Sequence, residues 1–235
     1  MIKQLVHCRP RALMAEFVGT LALTFIGTMT AAMAGEGFGG VPAGDVVIPA
    51  LGHGLILAAM VYAFGHVSGC HINPAVTISL AAIGKFPLKQ VGPYLAAQVS
   101  GGLVGALFHF WVRARDASDY GLTVPGPGVS EGQAFLLEAI LTFLLVTVII
   151  GVAVSGKVPT AVTGIAIGGT LAAAILAGGA LTGASLNPAR TLGPAAVSHN
   201  FTAHWLYWLG PIAGGLAAAL VATITQNLRG EPEAG

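Results

Sequence analysis

The tripeptide Asn-Pro-Ala occurs twice in the chain, at 73–75 and again 114 residues later at 187–189. Asn is a strong helix N-cap, and Pro is favoured at the first helical position. Asn73-Pro74-Ala75 and Asn187-Pro188-Ala189 therefore each predict the start of a short helix. The Asn carbonyl oxygen would accept hydrogen bonds from the free N–H groups of the first turn. Its NH2 group then remains as a donor that points away from the helix.

The composition places these two segments in a lipid bilayer. Only 8% of the 235 residues are charged, against about 25% in a typical soluble domain. Hydrophobic residues make up 55% of the chain, and the mean hydropathy is +0.82. This excludes an ordinary cytosolic enzyme and a disordered chain. The net charge of +1 without a basic cluster excludes nucleic acid as a partner.

Six uncharged stretches are each long enough for a spanning helix, which needs about 20 mostly apolar residues. A buried core helix explains one such stretch, but not six with almost nothing polar between them. Two further apolar pieces, 74–84 and 188–198, are too short to cross and predict re-entrant half-helices. We place the six spans at 12–33, 46–66, 91–111, 133–154, 159–179 and 204–226.

The positive charges predict the orientation. The first apolar run carries Glu16, so it is a span rather than a cleavable signal peptide. With both termini cytoplasmic, only Arg113 and Arg115 lie outside, which obeys the positive-inside rule. Seven basic residues lie inside in this orientation: Lys3, Arg9, Arg11, Lys85, Lys89, Lys157 and Arg229. The short termini favour a prokaryotic plasma membrane.

The chain is expected to be one transmembrane domain, 1–235, with an internal repeat of 12–111 and 133–226. Each half holds three spans, an odd number, so the second half is inverted relative to the first. The two half-helices would then meet N-terminus to N-terminus at the bilayer centre. Their positive dipole ends oppose cations and protons there, while the Asn amides hold a passing oxygen atom.

At this point the chain resembles the aquaporin (major intrinsic protein) family along nearly its whole length. The resemblance implies six spanning helices with two half-helices, passive transport through one pore per subunit, a homotetramer and no cofactor. It rests on Ala15-Glu16-Phe17, Ser68-Gly-x-His71-x-Asn-Pro-Ala-Val76, Gln98, Glu138 and Asn187-Pro-Ala-Arg190-x-x-Gly-Pro194.

The resemblance also implies a selectivity filter, the narrowest ring near the outer mouth, formed by His53, Ile175, Ala184 and Arg190. A guanidinium at membrane depth would repel cations and donate hydrogen bonds to water. Strictly water-selective members usually carry Phe in place of His53 and His in place of Ile175. The combination here looks like that of tonoplast intrinsic proteins. We expect water to pass, together with ammonia or another small neutral solute.

Glycerol remains the alternative solute. Glycerol facilitators of the family typically have Asp in place of Thr191 and often a basic residue in place of Ala195, and neither is present. Tyr207-Trp208 also looks like the aromatic pair of water channels.

Four other residues have two interpretations each. Glu16 and Glu138 could relay protons, but the resemblance implies that they hold the N–H groups of the re-entrant loops. His71 could be a pH gate, although a hydrogen-bonding strut is favoured. Cys70 could be a reactive pore thiol or an inert buried one. No metal site is expected, because His53, His66 and His71 have no carboxylate or thiolate shell.

Two other classes of function compete with a passive channel. An ion-coupled secondary transporter also uses inverted repeats and broken helices, but the chain has no cluster of Asp, Ser and Thr for a cation. An intramembrane hydrolase would need a nucleophile with a base, and no Ser–His or paired-Asp motif lies on the spans. The sequence therefore favours passive conduction and predicts no enzyme activity.

Overall fold

The structure is a computed structural model, and it describes residues 10–36, 45–113 and 121–226. These residues form eight α-helices and no strand. The helix α5 continues into one π-helical turn, Ile150–Val154. The helices are α1 (Pro10–Glu36), α2 (Val47–Ser68), α3 (Pro74–Ala82), α4 (Leu88–Arg113), α5 (Glu131–Ile149), α6 (Thr160–Thr182), α7 (Pro188–Ser198) and α8 (Leu206–Thr225).

The predicted all-helical membrane fold is confirmed. Six of the described helices are long and apolar enough to cross a bilayer, and each overlaps one predicted span. The short helices α3 and α7 coincide with the two predicted half-helices. The helices α2 and α6 end slightly later than predicted. Both stop where a glycine, Gly69 or Gly183, adopts a left-handed conformation with φ of 87° or 79°.

The long helices pack in pairs, α1 against α4, α5 against α8 and α2 against α6. The short helices cross between the halves of the chain, because α3 packs against α8 and α7 packs against α4. Each short helix is thereby enclosed by protein, which a helix too short to span the bilayer requires. Large apolar side chains such as Leu55, Trp111 and Ile224 face outwards, as expected for a surface in contact with lipid.

Glycines allow the paired helices to approach closely. A Cβ at Gly101 of α4 would overlap the carbonyl oxygen of Phe17 on α1. Equivalent overlaps occur for Gly168 of α6 with α2 and for Gly214 of α8 with α5. Small residues that bring helix backbones together are the usual basis of packing where lipid removes the hydrophobic driving force.

Part of the predicted charge distribution lies outside the described residues, namely Lys3, Arg9, Arg115 and Arg229, and Cys8 also lies there. The remaining charges can be placed on the chain. Arg11 lies at the start of α1, and Lys85 precedes α4. Lys157 follows α5, whereas Arg113 ends α4. Because the six long helices cross in alternating directions, Arg113 lies at the opposite end from the other three.

We expect Gly214→Leu to destabilise the protein by at least about 2 kcal/mol, because the new side chain overlaps the backbone of Ala139. Gly169→Leu is the matched control, since nothing lies within 4 Å of a Cβ added there. The measurement is the fraction of monodisperse protein that survives heating in detergent. Equal losses in the two variants would contradict close packing at Gly214.

Candidate functional site

The site is built around the loop that connects α2 to α3. The carboxylate of Glu16 on α1 is fully buried and accepts four hydrogen bonds. Its Oε1 accepts from the hydroxyl of Ser68 at 2.7 Å and from the backbone N–H of His71 at 2.9 Å. Its Oε2 accepts from the N–H of Ile72 at 2.6 Å and from the side chain of Gln98 at 2.8 Å. The loop is therefore fixed to α1 and α4.

Glu138 on α5 holds the loop between α6 and α7 in the same way. It is also fully buried. Its Oε1 accepts from the hydroxyl of Thr182 at 2.8 Å and from the N–H of Ser185 at 2.9 Å, and its Oε2 accepts from the N–H of Leu186 at 2.8 Å. The structure thus places both predicted carboxylates against the loops that precede the Asn-Pro-Ala segments.

The two loops share an uncommon backbone conformation. Cys70 and Ile72 have φ of 49° and 41°, and Ala184 and Leu186 have φ of 42° and 55°. Positive φ is rare for residues other than glycine and strained for a β-branched residue such as Ile72. Alternation of this conformation with ordinary residues turns successive N–H groups towards one point, which forms a concavity for an anion. The carboxylate occupies that concavity in each loop.

Two tyrosines complete the loops, a structural role that was not predicted from the sequence. The hydroxyl of Tyr94 donates to the carbonyl of Ser68 at 2.9 Å, and that of Tyr207 donates to the carbonyl of Thr182 at 2.7 Å. Each bond fixes the last residue of the long helix that precedes a loop. Their equivalent positions in the two halves were the signal that could have identified this function.

The two asparagines meet across the centre of the molecule. The Oδ1 of Asn73 accepts from the N–H of Ala75 at 2.9 Å, and that of Asn187 accepts from the N–H of Ala189 at 3.0 Å, so both are the predicted N-caps. Their amide groups then bond to the opposite loop. Asn73 donates to the carbonyl of Leu186 at 2.8 Å, and Asn187 donates to that of Ile72 at 2.9 Å. One N–H of each amide is therefore used within the protein, and the other is left over.

A cavity of about 830 Å³ passes this pair of asparagines. It extends from Lys85 and Gly156, in the connections after α3 and α5, to His53 and Arg190. Both asparagines line it, and so do Cys70 and His71. Its wall is otherwise largely apolar, with side chains from α2, α5 and α6. The cavity therefore runs beside the two helix N-termini.

Arg190 lies at one end of this cavity and is only 3% exposed. Its Nε–H donates to Nε2 of His53 at 3.2 Å, and its Nη1 donates to the carbonyl of Gly121 at 2.9 Å. His53 is tied to its own helix through Nδ1 and the carbonyl of Pro49 at 2.8 Å. The sequence predicted Arg190 and His53 at one constriction, but it gave no indication of Gly121.

The other two predicted filter residues are buried and are not in the lining of the cavity. Ile175 and Ala184 are each 3% exposed and belong to one apolar cluster with Ala50. Among the described residues, the cavity lining includes His53 and Arg190 but neither Ile175 nor Ala184. The structure therefore joins two of the four residues by a hydrogen bond and places the other two in the adjoining core.

His71 and Cys70 lie in the first loop. The ring of His71 packs against Phe86 and Tyr94, with centroids 4.8 Å and 5.4 Å apart. Its Nδ1 lies 3.1 Å from the hydroxyl of Thr77 on α3, so the ring connects the loop to the half-helix. Cys70 has a free thiol that is 6% exposed and borders the cavity. Within the described residues, no group of three potential metal ligands occurs.

Comparisons with known proteins agree on one family. The family model described as Major intrinsic protein matches residues 4–222. Aquaporin AqpM of Methanothermobacter marburgensis is 41% identical over 231 residues, which covers 88% of this chain and 93% of that protein. Aquaporin TIP4-4 of Zea mays is 40% identical over 216 residues, with 90% and 84% covered. The X-ray structure of the aquaglyceroporin from Plasmodium falciparum matches 93% of this chain and 98% of its own, with a TM-score of 0.82 and 27% identity.

We expect Glu138→Gln to lower stability by about 1–3 kcal/mol, because the new NH2 group faces a donor and leaves a buried N–H without an acceptor. The matched control is Glu131→Gln at the exposed start of α5, where the carboxylate accepts from the indole of Trp205. The measurement is the thermal unfolding midpoint in detergent. A midpoint equal to that of the control variant would contradict the supporting role of Glu138.

Proposed function

The chain belongs to the major intrinsic protein family, and from this premise we propose that it is a passive channel for water that excludes ions and protons. Members of this family are membrane channels, and the six apolar helices make the chain an integral, multi-pass membrane protein. The observation that carries the proposal is the cavity that runs past both asparagines and ends at a buried guanidinium. No cofactor, metal or catalytic residue takes part in this mechanism.

Two features of the cavity support exclusion of cations. The first is Arg190, whose fixed positive charge repels a cation at the constriction. The second is the pair of half-helix N-termini at Asn73 and Asn187, where two partial positive charges face the path. A hydronium ion meets the same repulsion as a metal cation. Water carries no net charge and accepts hydrogen bonds from both sets of donors.

The asparagines support orientation of single water molecules at the centre. Because one N–H of each amide bonds to the opposite loop, the side chains are held in one position. The second N–H of each amide is available to the oxygen atom of a passing molecule. A water oxygen that accepts from these two donors has its own two hydrogen atoms directed along the path, one towards each end of the cavity. This arrangement interrupts the chain of water molecules along which a proton would move.

The predicted filter supports some permeability to ammonia or another small neutral solute. His53 and Ile175 take positions where water-selective members usually carry Phe and His, and Ala184 is small. The aliphatic side chain of Ile175 and the methyl group of Ala184 make the ring wider and less polar than that of the water-selective members. We propose that His53, Ile175, Ala184 and Arg190 form this ring.

Glycerol is the second candidate solute, because the chain is similar to the aquaglyceroporin of Plasmodium falciparum. Thr191 weighs against it. Its buried hydroxyl lies 3.0 Å from that of Thr123 and also bonds to Ser185, so it is engaged within the protein. An ion-coupled transporter is less favoured, because among the described residues no carboxylate lines the cavity.

We further propose the architecture and location of the channel. One domain, 1–235, contains the inverted repeat 12–111 and 133–226, a proposal supported by the matched helix pairs and the two carboxylate-bound loops. The subunits form a homotetramer in a prokaryotic plasma membrane, with small neutral solutes and lipid as the partners. Cytoplasmic termini are supported by Arg11, Lys85 and Lys157, which share one end of the molecule.

Stopped-flow light scattering on proteoliposomes tests the proposal. We expect fast water flux under a gradient of an impermeant osmolyte, with a weaker temperature dependence than in protein-free vesicles. Ala184→Trp should abolish it by filling the ring. Arg190→Ala should preserve water flux and admit cations. Glycerol and ammonium gradients rank the solutes, and glycerol equilibration without fast water flux would contradict the proposal in favour of the second candidate.

Cys70 provides an independent test of the path. Because its thiol borders the cavity beside the asparagines, a mercurial bound there should block water flux. We expect Cys70→Ser to conduct normally and to resist the mercurial. Cys8→Ser, which removes the other cysteine, is the matched control and should remain sensitive. Inhibition that survives Cys70→Ser would contradict the position of Cys70 in the path.

A further inference from the structure

The guanidinium of Arg190 donates hydrogen bonds to Nε2 of His53 and to the carbonyl of Gly121. They come from separate parts of the chain, α2 and the connection between α4 and α5. Neither acceptor belongs to the helix that carries Arg190. Whatever fixes these two groups therefore contributes to the position of the charge.

The His53 ring lies against the backbone of α1 at Gly27. A Cβ at Gly27 would overlap three atoms of the imidazole, including Nε2, and would come within 2.6 Å of Cε1. The ring has no simple way to move aside, because its Nδ1 is bonded to the carbonyl of Pro49. The imidazole thus occupies the volume that a side chain at position 27 would need.

The second acceptor is the carbonyl of Gly121, and Gly121 contacts Thr28, the residue that follows Gly27 in α1. Gly121 has φ of 66°, and a Cβ there would lie 2.7 Å from Cα of Thr28. The hydroxyl of Thr28 lies 3.2 Å from the carbonyl of Phe25, to which it donates, and 2.9 Å from Nδ1 of His109 on α4. Thr28 is completely buried. Consecutive residues of α1 therefore contact both groups that hold Arg190.

The same face of α1 also reaches the path. Leu23, one helical turn before Gly27, lines the cavity. Residues four apart lie on one face of a helix, so position 27 points towards the end of the cavity where His53 and Arg190 lie. A glycine there leaves room for the ring.

We propose that Gly27 is a positioning residue of the constriction, a fifth determinant of solute selectivity that acts through His53 on Arg190. This inference rests on the proposed channel function. A side chain at position 27 displaces the imidazole from α1, lengthens the bond between Nε2 and the guanidinium, and moves the ring towards the path. Selectivity is then set by α1 as well as by the four residues of the ring.

A double-mutant cycle with His53 tests the inference. In proteoliposomes, we expect Gly27→Ala to reduce water permeability by at least about threefold in the wild-type background, the size of coupling seen between residues in contact. In the His53→Ala background the same substitution should have no effect, because the ring that it displaces is absent. Gly35→Ala, on the same helix, is the matched control. Nothing lies within 4 Å of a Cβ added there, so this variant should leave permeability unchanged.

The outcomes separate the two proposals. Wild-type vesicles that conduct no more than protein-free ones would overturn the channel function and this inference with it. Wild-type conduction with an unaltered Gly27→Ala variant, or an equal loss in both backgrounds, would overturn the inference alone. If Gly27→Ala is not recovered as monodisperse protein, the yield of monodisperse protein in the two backgrounds is compared instead. Recovery of the double variant then supports the inference, and equal losses overturn it.

Discussion

Backbone polar groups in a membrane interior have no water to bond to, and the two re-entrant loops expose several of them at that depth. Glu16 and Glu138 supply the acceptors. A buried carboxylate is costly by itself, but here each one receives three or four hydrogen bonds, which stabilise the charge and satisfy the N–H groups together. The rest of the site depends on these hydrogen bonds, because loops without the carboxylate acceptors would not hold the asparagines in place.

Once the N–H groups of the loops are bonded to the carboxylates, the carbonyl groups of the loops remain available to accept other hydrogen bonds. The carbonyls of Ile72 and Leu186, whose N–H groups bond to the carboxylates, accept from the two asparagine amides. Each loop thus connects a carboxylate in its own half of the chain to an asparagine of the other half. The two half-helices are locked together at their N-termini, and Arg190, in the first turn of α7, is placed at a definite distance from them.

Much of this arrangement could be predicted because it follows from charge and capping. The absence of charge located the six spans, Asn73-Pro74 and Asn187-Pro188 located the half-helices, and Glu16 and Glu138 were recognisable as acids without a place in lipid. The acceptors of Arg190 could not be predicted, since Gly121 contributes only a backbone carbonyl, which every residue possesses. The π-helical turn at Ile150–Val154 also has no signal in its sequence, which reads as a continuous apolar helix.

The hydrogen bonds of His53 bear on the chemistry of the constriction. A carbonyl only accepts, so the bond to Pro49 places the ring proton on Nδ1, and Nε2 is left as the acceptor for Arg190. Both ring nitrogens are then engaged within the protein. The imidazole borders the path as an apolar surface, although histidine is a polar residue, and the guanidinium supplies the hydrogen-bond donors there. With Ile175 and Ala184 also apolar, the proposed ring is polar on one side only. Under the proposed function, a small neutral molecule with a single acceptor atom, such as ammonia, would meet a wall that demands few hydrogen bonds from it.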